Sequence, residues 1–344
     1  MSDLAASAGG LELIAARLIR VESPVVRFAL APGDRPLVLE GEEVAAGTTI
    51  AQRHRTSRVE ELRRSSGAAG RAAFTPGGWW PGTDASAGRF GNKRGTPAGE
   101  LLYDAGGRWR LAVGEQPEPL DAPTDATVVC IRPGSFLSLR LAADGVPGTT
   151  AVGGPSRGRL AVMPGDSDLR PGALDVGLAG AIVVVGTRMD AETLTRARAT
   201  GIRGVVVAGL SEKERQDFLA SEARQRAGYH KLAPFAVLVL DGAVRRPIAS
   251  PMRSILAAIA GREVAIVGDP PLLVYDPAGV EPPEIPPDLV RIRSGPAAGR
   301  EGRWVGSAGF RRFRGGVHLR AGLIRLEDDD EEVAVPLADL ERFG

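Results

Sequence analysis

Between residues 173 and 268 the chain alternates short apolar runs with polar helical segments, and this pattern restricts the fold most. The apolar runs have no polar face, as expected of strands buried on both sides: AGAIVVVG (179–186), RGVVVAG (203–209) and PFAVLVLDG (234–242). Helices are predicted between and after them, over 190–201, 211–228 and 250–261, followed by a strand over 262–268. Strands that alternate with helices predict a parallel α/β domain over 173–268 with right-handed crossovers.

The first of these helices carries clear boundary signals. Asp190 stands where an N-cap carboxylate would accept a backbone hydrogen bond, and Gly201 stands where a helix commonly ends. Ser211 and Glu214 have the spacing of a capping box at the start of the second helix.

Residues 11–165 indicate a β-rich domain. Its first part, to residue 60, predicts short strands with one helix at the end. An apolar strand meets Gly41, Val44 faces inward, Gly47 turns the chain and Ile50-Ala51 closes a new strand. This pattern resembles the hammerhead of biotinyl/lipoyl-type barrel-sandwich domains, and a second copy is indicated over 91–107 and 118–141.

A carrier domain of that type presents a lysine at a hairpin tip, where the cofactor is attached. The corresponding tips hold Ala45-Ala46 and Pro97-Ala98, and Lys93 lacks the flanking pattern. We therefore expect a non-carrier domain without covalent biotin or lipoate, and no cofactor is expected elsewhere in the chain. Residues 65–90, rich in Gly, Ser and Ala, predict a mobile loop. Within it Trp79-Trp80 fits either a docking patch or a cover for the barrel.

A proline-rich segment over 269–288 predicts a stiff, extended linker. Val and Ile alternate with Arg in the segment that follows, VRIRSGPAAGREGRWVGSAG (290–309). This alternation predicts strands with one solvent-exposed face. Glycines recur at Gly295, Gly299, Gly302 and Gly306. Residues 289–344 resemble a KOW module, the small SH3-like barrel of transcription-elongation and ribosomal proteins. The resemblance implies binding of RNA or protein and no chemistry.

Charge is divided within this terminal module. Residues 290–325 contain nine arginines and one acid, Glu301, whereas residues 327–332 are six consecutive acids. The acids would repel phosphate from a shared face, or they would pair with the arginines at a hairpin tip. Arginines beside aromatic rings are typical of RNA and single-strand binders. The candidate nucleic-acid contacts are Arg291, Arg293, Phe310, Arg311, Arg312, Phe313 and Arg314.

A second candidate site lies in the α/β domain, because ligands bind open α/β sheets at the carboxyl ends of the strands. Those ends carry Arg188, Gly209, Ser211 and Asp241, and the helix that begins near Ser211 offers free N–H groups to an anion. The chain has no G-x-G-x-x-G and no P-loop. Ordinary turns and caps therefore explain these residues better than a ligand site.

Several classes of site are disfavoured. Cys130 is the single cysteine and is predicted to lie in a buried strand, so no internal disulfide or cysteine zinc site is expected. His54, His230 and His318 lack metal-ligand spacing, and the acids of 164–175 fit turns in a Pro/Gly loop. No apolar run approaches the length of a membrane span and no signal peptide is evident, so a cytoplasmic protein without a membrane partner is expected.

The order of the three parts, with GIRGVVV (201–207) and VPLADLE (335–341), resembles a bacterial protein family with this layout. No activity carries over from that family residue by residue. The sequence therefore predicts a non-enzymatic scaffold or binding protein within a protein complex, with RNA or a transcription or translation complex as the candidate partner of residues 289–344. The alternative is a small-molecule-binding or enzymatic subunit that uses the strand ends of the α/β domain.

Overall fold

The computed structural model describes residues 10–63, 79–80, 99–104, 108–163, 176–228 and 233–344. Strands make up 47% of it and helices 15%, so the fold is mostly β, with several sheets. This content is broadly compatible with the predicted combination of β domains with an α/β domain. The chain forms two compact units: unit 1 comprises 1–24, 141–211 and 235–344, and unit 2 comprises 25–140 and 212–234.

The described strands are numbered in chain order. The first twelve are β1 (Ala15–Arg17), β2 (Val21–Glu22), β3 (Val25–Ala29), β4 (Arg35–Pro36), β5 (Glu43–Val44), β6 (Thr49–Arg63), β7 (Trp79–Trp80), β8 (Gly99–Asp104), β9 (Arg108–Asp121), β10 (Ala126–Arg132), β11 (Phe136–Leu141) and β12 (Asp144–Pro147). The others are β13 (Thr150–Gly153), β14 (Ser156–Val162), β15 (Ala181–Val184), β16 (Gly204–Val207), β17 (Ala236–Val239), β18 (Glu263–Gly268), β19 (Pro271–Tyr275), β20 (Leu289–Ile292), β21 (Glu301–Arg312), β22 (His318–Leu326), β23 (Glu332–Pro336) and β24 (Leu340–Phe343). The α-helices are α1 (Ala191–Ala199), α2 (Glu212–Gly228) and α3 (Ser250–Ala258).

A nine-stranded sheet in the order β13-β17-β16-β15-β14-β18-β19-β12-β2 forms the centre of unit 1. Neighbouring strands from β14 to β17 are parallel, and every residue of β15, β16 and β17 is buried. The apolar runs of the sequence predicted these strands. The remaining pairs are antiparallel, so the sheet is mixed where the sequence predicted a parallel one.

The proline-rich segment differs from the expected linker. Asp269 and Pro270 form a tight turn between β18 and β19, so residues 271–275 belong to the sheet as the second strand of a hairpin. Leu272, Leu273 and Val274 are buried there. Proline starts β19 instead of interrupting it, which is the position that a strand tolerates best.

The helices follow the predicted boundaries, but one has a different neighbour. Asp190 caps α1 by accepting a hydrogen bond from the backbone N–H of Thr193 at 2.7 Å, and Gly201 follows the helix with a φ of 88°. Helix α2 belongs to unit 2, where it lies beside β8 and β9. The connection between β16 and β17 therefore contains a helix that is assigned to unit 2 and not to the unit of the nine-stranded sheet.

Unit 2 contains two antiparallel sheets, in the orders β4-β6-β9-β8-β7 and β3-β11-β10-β5. Val44, Ile50 and Ala51 are buried, as the hammerhead pattern predicted. The helix predicted at the end of this stretch is wrong, because 49–63 is the long strand β6, paired along its length with β9. This pairing gives most residues of β6 a cross-strand partner, which outweighs the local helix propensity of the Glu- and Arg-rich stretch.

Trp80 helps to fill the core of the five-stranded sheet. It packs edge-to-face on Trp109, with ring centroids 5.6 Å apart, beside Leu101, Leu111 and Val113. For Trp80, this contact matches the covering role. Cys130 lies in β10 as predicted but is half-buried. The rest of loop 65–90, together with Lys93, His230 and the acids of 164–175, lies outside the described residues.

The terminal module forms a six-stranded sheet in the order β1-β24-β20-β21-β22-β23. β1 from the N-terminus pairs in parallel with β24, and Ile14 is buried with Val290, Trp304 and Leu340. The module therefore extends beyond 289–344 and needs residues near the N-terminus. In the part of the chain that the structure describes, no helix is long and apolar enough to cross a membrane.

Replacement of Ile14 tests this extension. Ile14→Ala should lower the free energy of unfolding by about 2–5 kcal/mol, because the side chain is 2% exposed and alanine leaves a cavity. Leu13→Ala is the matched control, since Leu13 is 58% exposed and its loss should change little. Denaturant unfolding followed by fluorescence measures both variants. Equal stability of the two would show that the N-terminal segment does not complete the module.

Candidate nucleic-acid interface

Strands β21 and β22 form a long hairpin whose base is packed and whose far end is exposed. Trp304 is buried at the base, and a Cβ atom at Gly322 would overlap its ring, so glycine is required there. Two irregularities in the pairing follow, between Trp304 and Gly306 and between Ser307 and Gly309. Bulges increase local twist and bend a strand away from its sheet. Beyond them lies the segment 309–320, which we name the outer hairpin.

The outer hairpin has a defined geometry. Its cross-strand pairs are Phe310 with Arg320, Arg311 with Leu319 and Arg312 with His318. The backbone N–H of Phe313 donates to the carbonyl of Val317 at 2.9 Å, which closes the tip. Gly315 and Gly316 have φ values of 92° and 80°, a region that disfavours other residues. The arginines are thus displayed on paired strands and at a closed turn.

Directly paired residues share a face of a two-stranded ribbon, and successive residues alternate between faces. One face, which we name the basic face, carries four residues: Phe310, Arg312, His318 and Arg320. The other face is more apolar and carries Arg311, Phe313, Val317 and Leu319. On the basic face the guanidinium carbon of Arg320 lies 5.7 Å from the centroid of the Phe310 ring. Phe310 is 68% exposed.

The acidic residues 327–332, which we name the acidic turn, pair with arginines in or directly before the strands of the sheet and not with those of the outer hairpin. Arg300 donates two hydrogen bonds to the carboxylate of Asp328 and also forms an ion pair with Asp329. Arg303 lies 3.1 Å from Glu327, and Arg325 lies 2.8 Å from Glu332. The hydrogen bond from Arg300 lowers the pKa of Asp328 and raises that of Arg300.

Unlike the arginines beside the acidic turn, those of the outer hairpin form no ion pairs with the described carboxylates. Arg311, Arg312, Arg314 and Arg320 are exposed, and no acid occurs between residues 302 and 326. In the described parts of the chain, no carboxylate lies within ion-pair distance of any of the four. Arg311 donates from Nε to the carbonyl of Ala308 at 3.1 Å, which steadies its side chain. Carboxylates of the described residues therefore do not neutralise the positive charge of the outer hairpin by direct pairing.

The prediction that Arg291 contacts nucleic acid is wrong, although the alternation of β20 places it on a solvent-exposed face in the sequence pattern. Its side chain is 0% exposed, and its Nη1 atom lies 3.1 Å from Asp241 and 3.4 Å from Glu341. Both faces of β20 are buried, since Leu289 packs into the core of the nine-stranded sheet and Val290 into that of the terminal module. Arg291 therefore cannot contact RNA. Arg293 is half-exposed, with Nε 3.8 Å from Glu341.

Arg291 belongs to a set of largely buried charges that we name the ionic cluster: Arg17, Asp241, Arg246, Arg291 and Glu341. Arg17 hydrogen-bonds Asp241, the carbonyl of Leu240 at 3.0 Å and Glu341 at 3.3 Å. Arg246 donates to the carbonyls of Asp241 and Arg293, each at 2.8 Å. Burial lowers the pKa of Arg246, while Asp241 acts in the opposite direction. The cluster joins the end of β17 to β1, β20 and β24.

The candidate ligand site at the strand ends is largely occupied by the chain itself. Asp241 is 4% exposed and engaged with the cluster arginines, so it is not free for a ligand. Gly209 forms a parallel bridge with Arg188, and a Cβ atom on it would stand 2.6 Å from the carbonyl oxygen of Val244. The backbone N–H of the next residue, Leu210, donates to the carbonyl oxygen of Gly242. Ser211 lies at the end of this closed loop, immediately before α2. Within the described ranges, no three His, Cys, Asp or Glu side chains group as metal ligands would.

A carboxylate-to-amide exchange tests the ionic cluster. Asp241→Asn should lower the free energy of unfolding by about 3–5 kcal/mol, because it removes one of the cluster's two carboxylates and leaves its arginines with Glu341 alone as countercharge within the cluster. Glu263→Gln is the matched control, since Glu263 faces Arg157 at 3.5 Å on the surface and its loss should cost less than about 1 kcal/mol. Urea unfolding of both variants distinguishes them. A cost for Asp241→Asn as small as the control's would mean that the cluster adds little to stability.

Comparison with known proteins adds no family to these observations. No protein-family model matches the chain. A search of curated proteins finds no significant match. The outer hairpin, with its exposed cations and ring, is thus the feature on which a functional conclusion depends.

Proposed function

We propose that this protein is a non-enzymatic binding protein that contacts RNA through the outer hairpin. The observation that supports the proposal is the exposure of Arg311, Arg312, Arg314 and Arg320 without ion-paired carboxylates in the described structure. Phe310 stands exposed among them. Guanidinium groups bind phosphate oxygens through paired, charge-assisted hydrogen bonds, and aromatic rings stack on bases.

The acidic turn does not oppose this role. Each of its pairs with Arg300, Arg303 or Arg325 satisfies a carboxylate with a cation of the same module. Exposed charges more than about 8–10 Å apart are largely screened at physiological salt. Phosphate approaching the outer hairpin therefore meets cations whose attraction is not cancelled by a direct carboxylate partner.

The resemblance of 289–344 to a KOW module supports RNA as the nucleic acid, and we propose that the six-stranded sheet is a KOW-like barrel extended by β1. We likewise propose a barrel-sandwich-like arrangement for unit 2, without a carrier role. The enzymatic alternative finds less support, because Asp241 and Gly209 are engaged by the protein's own chain. Membership of a larger protein complex is compatible with this proposal.

Removal of three tip arginines tests the proposal. Arg311, Arg312 and Arg314 are changed together to alanine in the full chain, because β1 is part of the module. Affinity for a mixed-sequence RNA oligonucleotide should fall, and the slope of log K against log salt should become shallower by about 2, near 0.7 for each phosphate that no longer meets an arginine. Fluorescence anisotropy at several salt concentrations measures both effects.

The matched control changes Arg35, Arg132 and Arg140, three exposed arginines of unit 2, to alanine. It removes the same charge and should leave the affinity and the salt slope nearly unchanged. The melting temperature of the hairpin variant should stay close to that of the wild type, because its arginines do not pair with the acidic turn. Equal RNA affinity in the two triple variants would contradict the proposal.

A further inference from the structure

We propose that the outer hairpin selects unpaired over duplex RNA, with a base stacked on Phe310 and the backbone of the strand along Arg312 and Arg320. This inference rests on the proposed RNA-binding function and adds the form of RNA and the residues that distinguish it. It follows from the unequal chemistry of the two faces of the hairpin.

The Phe310 ring is held in place on one side only. The guanidinium of Arg320, directly across the ribbon, lies over it at 5.7 Å, a cation–π distance. The side chain is nevertheless 68% exposed, so its other side is open to a flat partner. A ring fixed in this way loses little conformational freedom when a base stacks on it, which favours binding.

Cationic side chains on the basic face lie where they can bind the phosphates on either side of a base stacked on Phe310. Arg312 lies two residues after Phe310 on the same strand, and residues two apart in a strand are about 6–7 Å from each other. This distance is close to the spacing of successive phosphates along a single strand. His318, paired with Arg312, adds two ring nitrogens as hydrogen-bonding groups. The basic face thus offers one stacking position flanked by cations.

The opposite face offers no comparable set. Its Phe313, Val317 and Leu319 are accompanied by Arg311, whose Nε already donates to a backbone carbonyl. Only unpaired bases present a free flat surface, since bases of a duplex are stacked inside and the deep, narrow major groove of A-form RNA excludes side chains. A binding mode centred on Phe310 therefore discriminates between single-stranded and duplex RNA, whereas phosphate contacts alone would accept both.

The test uses the full-length protein with two probes, a mixed-sequence RNA oligonucleotide and the same oligonucleotide annealed to its complement. The wild type should bind the single strand more tightly. Phe310→Ala should weaken binding to the single strand about 10-fold or more, because base–aromatic stacking contributes on that scale. Its affinity for the duplex should change little, and its salt slope should match the wild type's because every cation is retained.

Two further variants identify the cause. Phe310→Trp keeps a stacking surface and should retain single-strand affinity, which separates loss of stacking from loss of folding. Leu319→Ala changes an exposed residue of the opposite face and should bind both probes as the wild type does. Of the two neighbouring arginines, Arg312 lies on the basic face and Arg311 on the opposite face. Arg312→Ala should therefore weaken single-strand binding more than Arg311→Ala.

The outcomes separate this inference from the proposed function. If Phe310→Ala lowers affinity for both probes equally, or Leu319→Ala is as damaging, the hairpin binds RNA without stacking on Phe310 and the inference is overturned while the function stands. If the wild type binds neither probe, both fail. Binding of the wild type to anionic phospholipid vesicles in place of RNA, abolished in Leu319→Ala, would assign the hairpin to a membrane surface and also overturn both.

Discussion

The ionic cluster is the constraint on which the arrangement of unit 1 depends. Asp241 at the end of β17 and Glu341 in β24 share the guanidinium groups of Arg17 and Arg291. These charges come from segments distant in the sequence, and all of them are largely withdrawn from water. Such a group is tolerated only when each charge has its partners, because the desolvation of an unpaired ion costs several kcal/mol. The nine-stranded sheet and the terminal module are thereby held in one relative position.

This constraint also explains why the N-terminus belongs to the terminal module. Arg17 enters the cluster because β1 pairs with β24, and the same short segment places Ile14 in the module's core. A few residues near the start of the chain therefore complete both an apolar core and a charge network. The core and the ionic cluster hold the module in place, and the β21–β22 hairpin extends from it. The outer hairpin then presents its arginines to solvent.

Arginine thus has two roles in the same module, and local sequence does not distinguish them. Arg291 and Arg311 both stand in strands directly after an apolar residue, yet one is buried and the other exposed. The six consecutive acids give a better signal, because arginines that frame a turn rich in carboxylates are expected to pair with it. Arg300, Arg303 and Arg325 do so. The outer hairpin was predictable as a candidate from FRRFRGG, whereas its two faces required the register.

Properties that depend on a short window were determined by the sequence itself. The buried runs of β15, β16 and β17, the cap of α1 at Asp190, the inward position of Val44 and the exposed basic tip at 310–316 all follow from local hydrophobicity and turn chemistry. The tertiary structure alone decided the pairing of β1 with β24, the strand at 49–63, the return of 271–275 to the sheet and the burial of Arg291. Each of these depends on a partner far away in the chain. Hydrogen bonds and countercharges supplied from a distance outweigh local preference, and no window of a single sequence contains them.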